Sequence, residues 1–349
     1  MLLAVTLVAL IAIALLVLQF VNDRRDARLY PAPGRMVEAG GRRLHARVQG
    51  SGGPTVVFES GISASSISWS VLQPRIARLT TTVSYDREGF GWSASARGRL
   101  DAGRMLDDLA ALLQHLDVPA PYVLVGHSFG GLLVRLYAGQ HPEQVAGMVL
   151  LDPVSAYEWA KPKLNDLAQL RVACMLSSWG GFLARFGVVR LATAPLLRGS
   201  TRLPKLIGKA SAGPAARVLD RLVGEVRKLP PESWPVVRAH WCRASNFRSM
   251  AKHLKSLPGS FRGLKNARFD GPLVVISGAN LPPRGVAEHR AIAALSPRGE
   301  HLQATHGGHW VHFDEPEMVE DAVRRVVAAV RETNGLLPAC TASGPPDAR

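Results

Sequence analysis

The run Tyr122-Val-Leu-Val-Gly-His-Ser-Phe-Gly-Gly131 constrains this chain more than any other stretch. Residues suited to a buried strand lead into Gly126-His127-Ser128-Phe129-Gly130, a G-x-S-x-G, and a helical stretch follows from near Leu132. A turn that sharp needs glycines where the backbone passes close to itself, and it holds the central serine strained and outward. The amides and positive dipole end of the following helix are then available to a developing negative charge. The pattern recurs by chance in many chains; the strand before it and the helix after it give it weight here.

Around this run, apolar strands and helical stretches alternate. Residues 35–50 read as two short strands joined through Gly40-Gly41, and buried-strand runs follow at Thr55–Glu59, Thr81–Tyr85, Tyr122–Val125 and Val145–Leu151. Asp101–Leu116 is the clearest helix, with Met105, Leu106, Leu109, Leu112, Leu113 and Leu116 on one face. A strand at Pro272–Ile276, a helix at Val286–Leu295, a strand at His301–Thr305 and an amphipathic helix at Glu315–Arg331 close the pattern. Such alternation predicts an α/β fold, with a mostly parallel central sheet flanked by helices on both faces. The interval 154–270 interrupts it, with no convincing strand and a helix expected over Trp179–Leu197, and reads as a helical cap insertion. The predicted organisation is an apolar anchor at 1–22, a linker at 23–34, core at 35–153, a basic cap at 154–270, core again at 271–334 and a disordered Pro/Ala/Ser/Gly-rich tail at 335–349.

Residues Leu2–Leu18 are apolar apart from Thr6, and Gln19-Phe20-Val21 precede a charged run from Asn22 to Arg28. That length suffices for a transmembrane helix across a hydrocarbon core of ~30 Å. A cleaved signal peptide is the competing reading. Against it, the sequence opens MLLAV with no basic n-region, the apolar run exceeds the usual ~7–15 residues, and no A-x-A site precedes the charges. The expectation is a single-pass membrane protein, and Arg24, Arg25 and Arg28 on the C-terminal flank lean towards a cytoplasmic body. The 349 residues are 47% hydrophobic, which excludes wholesale disorder. Cys174, Cys242 and Cys340 make no disulfide framework and no metal-ligand spacing; a Cys174–Cys242 bridge stays open beside three unrelated thiols. The net charge of +15 lies wholly in 154–270, where 21 Lys and Arg face 6 Asp and Glu. No nucleic-acid-binding motif accompanies it and aromatics are only 6%, so no nucleic acid is expected as partner.

Together with the serine turn, VVFESGISASSISW (Val56–Trp69), YDREGFGWS (Tyr85–Ser93) and GGHWVHFDEPE (Gly307–Glu317) resemble the α/β-hydrolase family. The resemblance covers about Met36–Pro153 and Pro272–Val330, leaving the cap and the apolar segment outside. It implies Ser128 as nucleophile and an oxyanion hole from the backbone N–H groups of Ile62 and Phe129. The family's usual His before Gly61 is Ser60 here, which alters local support but not the backbone donor. The base is implied in the Gly-His pair after the last strand, Gly308-His309, with His312 as the alternative. His306, His309 and His312 crowd one segment, but no carboxylate–histidine motif on a helix accompanies them, and no metal or organic cofactor is expected. His127 reads as packing under the turn, and Asp86 and Arg87 as satisfying backbone groups at the rim of the site.

The orienting acid departs from the commonest family pattern, which puts Asp just past the strand at Pro272–Ile276. Here the chain reads Ser277-Gly-Ala-Asn280, and Asp270 precedes the strand, at the wrong end for the active site of an open α/β sheet. Asp152 stands directly after Val145–Leu151, where haloalkane dehalogenases of this family place their acid. Asp152 is therefore the expected orienter of His309. Asn280 as a neutral orienter, and Asp152 as a turn cap before Pro153, stay open.

A serine at 128, in place of the carboxylate of epoxide hydrolases and dehalogenases, points to acyl chemistry. The expected activity is that of a lipase-like serine esterase, cleaving carboxylic esters with an apolar acyl part through an acyl-enzyme. Carbon–carbon bond hydrolysis and acyl transfer use the same triad, and a catalytically silent binding scaffold is the contrasting class. Trp179, Phe182, Leu183 and Phe186 fall at helical spacing with Arg185 and Arg190 nearby. They form either a face for anionic lipid headgroups or a stripe packed on the core. The expected partners are a small-molecule or lipid ester and the membrane.

Overall fold

Val56, Val57 and Phe58 show how the sheet is built, because successive strand residues point to opposite faces and here both faces are buried. The computed structural model describes residues 1–96, 98–154, 162–194, 228–261, 264 and 267–335. Among them, β1 (Arg35–Ala39), β2 (Arg42–Gln49), β3 (Thr55–Glu59), β4 (Thr82–Tyr85), β5 (Tyr122–His127), β6 (Val145–Leu151), β7 (Leu273–Ser277) and β8 (Gly299–Gln303) form one sheet. Its order is β1-β2-β4-β3-β5-β6-β7-β8. From β4 through β8 all pairings are parallel, and β2 is antiparallel to both of its neighbours.

The helices are α1 (Leu2–Leu29), α2 (Leu72–Ile76), α3 (Ala102–Leu116), α4 (Phe129–Gln140), α5 (Leu164–Arg185), α6 (Val188–Thr193), α7 (Trp234–Trp241), α8 (Ala244–Ser260), α9 (Pro283–Ala293), α10 (Val311–Asp314) and α11 (Pro316–Asn334). Val57, Leu124, Leu150 and Val275 pack with α3 and α4 on one face of the sheet. Val56, Phe58, Val123, Val149 and Ile276 pack with α2 and α11 on the other. Each fully buried leucine contributes about 1.5–3 kcal/mol, and α3 buries all six apolar residues of its stripe. Asp101 starts that helix by accepting the Arg104 N–H (3.0 Å), and Asp117 ends it in the left-handed region at φ +57°.

The predicted α/β architecture is the observed one, with shifted boundaries. The helix after the serine begins at Phe129 rather than near Leu132, because Ser128 alone makes the turn. The strand expected at His301–Thr305 starts two residues earlier, at Gly299. The helix expected over Trp179–Leu197 instead begins at Leu164, where Asp166 accepts the Lys163 N–H (2.8 Å), and breaks at Gly187, whose φ of +73° interrupts the helix. Residues 195–197, the rest of the cap expectation at 155–161, 198–227, 262–263 and 265–266, and the tail from 336 with Cys340 lie outside the described residues. Cys174 and Cys242 are both free thiols. The apolar helix α1 continues past the expected end of the anchor, through the charged run to Leu29.

Several buried histidines are held neutral. Burial pushes His240, His253 and His312 from 6.5 to about 3, with the nearby Arg243, Arg87 and His309 respectively adding to the fall. The unfolded chain binds protons at these sites below pH 6.5 while the folded chain does not. The stability they permit is therefore complete above pH 6.5 and is lost as pH falls from there towards 3. Thermal melting followed from about pH 7.5 to 4.5 should show Tm declining steadily below about 6.5; a flat profile would contradict burial of these rings.

Candidate active site

β5 ends at His127 and α4 starts at Phe129, so Ser128 makes the strand-to-helix turn by itself, at φ +53°. A side chain disfavours that conformation by roughly 1–2 kcal/mol, and backbone hydrogen bonds hold it. The Ser128 N–H donates to Leu151 O (2.9 Å), and the Ser128 carbonyl accepts from the N–H groups of Gly131 (3.0 Å) and Val154 (3.1 Å). The glycines answer a need for space. A Cβ on Gly130 would stand 2.2 Å from the Glu59 carbonyl oxygen, one on Gly126 2.6 Å from the Gly130 oxygen, and one on Gly131 2.9 Å from Pro153 Cβ. The turn therefore rests directly on the loop after β3 and on the turn after β6.

That second turn carries Asp152, also at positive φ (+40°), with its N–H donating to Ile276 O (2.7 Å). Oδ1 accepts the Gly278 N–H (3.0 Å) and Oδ2 accepts from His309 Nδ1 (2.6 Å). Burial alone pushes the carboxyl up, but the His309 hydrogen bond and charge, with the Gly278 N–H, outweigh it and hold the pKa below the ordinary 3.8. With Nδ1 donating to the carboxylate, His309 Nε2 is the nitrogen left to take a proton. His289 Nε2 donates to the Pro153 carbonyl (3.0 Å) while its Nδ1 pairs with Ser277 Oγ (2.7 Å), bracing the same turn.

His127 lies beneath, and its Nε2 donates to the backbone carbonyl of His309 (2.8 Å). Burial first, then His312 and His309, push the His127 pKa well below 6.5, so the ring stays neutral with its proton on Nε2. The loop after β3 is held from the other side. The buried Arg87 pairs with Glu59 and donates to the carbonyls of Ser60 (2.6 Å) and Gly61. Asp86 accepts the N–H groups of Ser66 (2.7 Å) and Trp92 (2.9 Å) and pairs with His45 (2.8 Å). Ser60 donates to Ser65 O (3.0 Å) and accepts from Trp69 Nε1 (2.9 Å), which is the altered local support.

Ser128, His309, Ile62 and Phe129 line one cavity of about 110 Å³, closed by Val154, Leu170, Ala173, Leu254 and Trp310 among others. Asp152 is buried behind His309. The alternatives lie elsewhere: His312 is buried against Trp69 and Phe313, Asn280 is exposed, and Asp270 is exposed and paired with Arg268. A larger hollow of about 550 Å³ between α3 and α8 holds none of these side chains. Sequence reasoning did not find the brace from His289 and Ser277 or the lining from Leu170 and Leu254. Each comes from a distant segment, with no spacing signal to reveal it.

The chain matches the α/β hydrolase fold family model over residues 54–207. The chain has the α/β-hydrolase fold. The Bacillus subtilis (strain 168) protein YqjL, itself uncharacterised, is 39% identical over 105 residues, 30% of this chain and 42% of that protein. The mouse (Mus musculus) sn-1-specific diacylglycerol lipase ABHD11 is 26% identical over 283 residues, 79% of this chain and 81% of the lipase. In three dimensions this chain resembles the enol-lactonase from Burkholderia xenovorans LB400, with a TM-score of 0.57 at 17% identity, over 84% of this chain and 100% of that one. The match thus spans less than half of YqjL, and the structural likeness speaks for the fold.

The close contacts at the turn make a paired test. Gly130→Ala forces a Cβ into the Glu59 carbonyl and should destabilise by more than about 3 kcal/mol. Gly139→Ala, in the same helix with open space where its Cβ would sit, should stabilise by up to about 1 kcal/mol. Denaturant melts of both variants check this.

Proposed function

We propose that this chain is a serine hydrolase that cleaves carboxylic esters with an apolar acyl part through an acyl-enzyme. The observation that carries the reading is the 2.6 Å contact of His309 Nδ1 with Asp152, with Ser128 and His309 lining one apolar cavity. His309 Nε2 takes the Ser128 hydroxyl proton as Oγ attacks the ester carbonyl. The oxyanion is received by the N–H groups of Ile62 and Phe129, at the start of α4 where the helix dipole favours negative charge. His309 then hands its proton to the leaving alcohol, and a water deprotonated by the same nitrogen releases the acid. Asp152 holds the tautomer and balances the imidazolium. The leucines, Val154 and Trp310 around the cavity suit an acyl chain. That ABHD11 is a diacylglycerol lipase and the Burkholderia protein an enol-lactonase is consistent with ester chemistry on this scaffold.

The reading includes membrane anchoring through residues 1–22. Nearly all of the apolar stretch of α1 is exposed, unlike a core helix. Its continuation is bonded to the body at Gln19, Asp23 and Asp26, unlike a segment shed on export. Arg24, Arg25 and Arg28 favour a cytoplasmic body.

Fluorophosphonate labelling of the full chain in membranes is expected to mark the wild type and not Ser128→Ala. A folded wild type that stays unlabelled would sink the assignment. Asp152→Asn should keep the fold and lower turnover on a soluble ester by about 10⁴-fold, whereas near-wild-type turnover would move the orienting role elsewhere.

A further inference from the structure

Helix α5 is built inside out. From Ala173 on, the residues it turns towards the body are small: Ala173, Ser177, Gly181 and Ala184 are buried, and α5 packs on α8 so tightly that a Cβ on Gly180 would stand 2.6 Å from the Phe247 ring. Its large apolar residues point outward. Met175, Leu176, Trp179, Phe182 and Leu183 follow the 3.6-residue period of one face and are exposed, Trp179 by 58% and Phe182 by 51%. The aromatic rings contact one another rather than the core, with 5.9 Å between Trp179 and Phe182 centroids and 5.2 Å between Phe182 and Phe186. Leu191 on α6 extends the face at 73% exposure. Of the two meanings open for this stripe, packing on the core is the one the structure rejects. Ser178 on the same side spends its hydroxyl on the Cys174 carbonyl (2.8 Å), a bond that survives removal from water. Exposed Arg171 and Arg185 flank the face.

The face begins where the apolar helix meets the body. Arg190 of α6 reaches three side chains of α1: Gln19 Oε1 (3.2 Å), Asp23 Oδ1 (3.2 Å) and Asp26 Oδ2 (2.7 Å). Gln19, almost fully buried, also donates to the Cys242 carbonyl (3.0 Å), and Trp92 Nε1 donates to Tyr30 O (2.9 Å). Of these contacts the Gln19–Cys242 bond is buried and the others are partly so, and polar contacts withdrawn from water have few good alternatives, so they fix the angle at which α1 leaves the helices above the cavity. Leu170 and Ala173, on another side of α5, line that cavity.

We propose that the outer face of α5 and α6 is seated in the headgroup layer of the bilayer that α1 enters, so that the helix over the cavity lies in lipid and an acyl substrate passes to Ser128 without leaving the membrane. This rests on the reading of α1 as a membrane anchor. A bilayer is the occupant the observations favour, because the face is continuous with an exposed apolar helix and carries tryptophan, phenylalanine and arginine together, the composition of an interfacial helix. The cavity's modest 110 Å³ agrees, since the remainder of a lipid ester can stay in the bilayer.

The full chain is reconstituted in phosphatidylcholine/phosphatidylglycerol vesicles containing a phosphatidylcholine whose diazirine sits at the headgroup end of its acyl chain, irradiated, digested and mapped by mass spectrometry. Lipid adducts on peptides from both α1 and residues 172–191 are expected. Adducts on α1 alone overturn the proposal and leave the anchor standing; adducts on neither overturn both. In a parallel sample treated with a bifunctional photoreactive cross-linker, links between copies through 172–191 that persist on dilution into excess lipid assign the face to a second copy of this chain and also overturn it. Trp179→Glu/Phe182→Glu provides the functional arm. The rate on a long-chain ester within the vesicles should fall at least about tenfold, roughly the loss of 1.4 kcal/mol of interfacial binding, while hydrolysis of a short soluble ester stays unchanged. Equal rates on the vesicle ester would overturn the proposal.

Discussion

The close approach of backbone at the Ser128 turn is the constraint on which the rest of the site depends. Gly126, Gly130 and Gly131 let one turn touch the loop after β3 and the turn after β6 without intervening side chains. Because β3, β5 and β6 are neighbouring parallel strands, their carboxyl ends emerge side by side. The glycine contacts then close the few ångströms that sheet geometry leaves. A hydrogen bond from Ser128 N–H to Leu151 O ties the serine turn to the strand that delivers Asp152. Geometry that chemistry requires to within about half an ångström is thus set by main chain rather than by flexible side chains.

Around that contact the buried polar groups form braces, each ending on a backbone carbonyl. Arg87 holds Ser60 and Gly61, His127 holds His309, and His289 holds Pro153. Donors from distant segments are matched to carbonyls in irregular loops, where no strand or helix would satisfy them. His127 and His289 each place a ring N–H on a loop carbonyl beside the cavity, and burial keeps His127 uncharged beneath His309. The buried pairs Asp86–His45 and Glu59–Arg87 tie down the β3 and β4 ends and do not line the cavity.

The helices between β6 and β7 obey a different logic. Small residues on α5 bring it close to α8, and the space saved there leaves its large residues no interior to fill. Its outer face then serves association rather than folding. The half-buried Arg190 between α6 and α1 ties the apolar helix to the body, which gives the outer face a defined relation to it.

Much of this was legible in the sequence. Continuous apolar strand runs alternating with helical stretches such as the α3 stripe specify a sheet covered on both faces, since burial of those residues has no other economical arrangement. Ser128 could be singled out because backbone sterics demand glycines around so sharp a turn, and His309 because the family resemblance implies the base in the Gly-His pair after the last strand. The approach of Asp152 to His309, 157 residues apart, depended on the order β5-β6-β7-β8, which sets which strand ends adjoin. Periodicity also could not say which way α5 faces. An apolar stripe at helical spacing is the same string of letters whether it packs inward or outward, and only the small residues beside it, meeting Phe247 of a helix some 70 residues on, decide the direction. Local sequence determined what each segment is; long-range packing decided which residues meet, because contacts between distant segments leave no period in the chain.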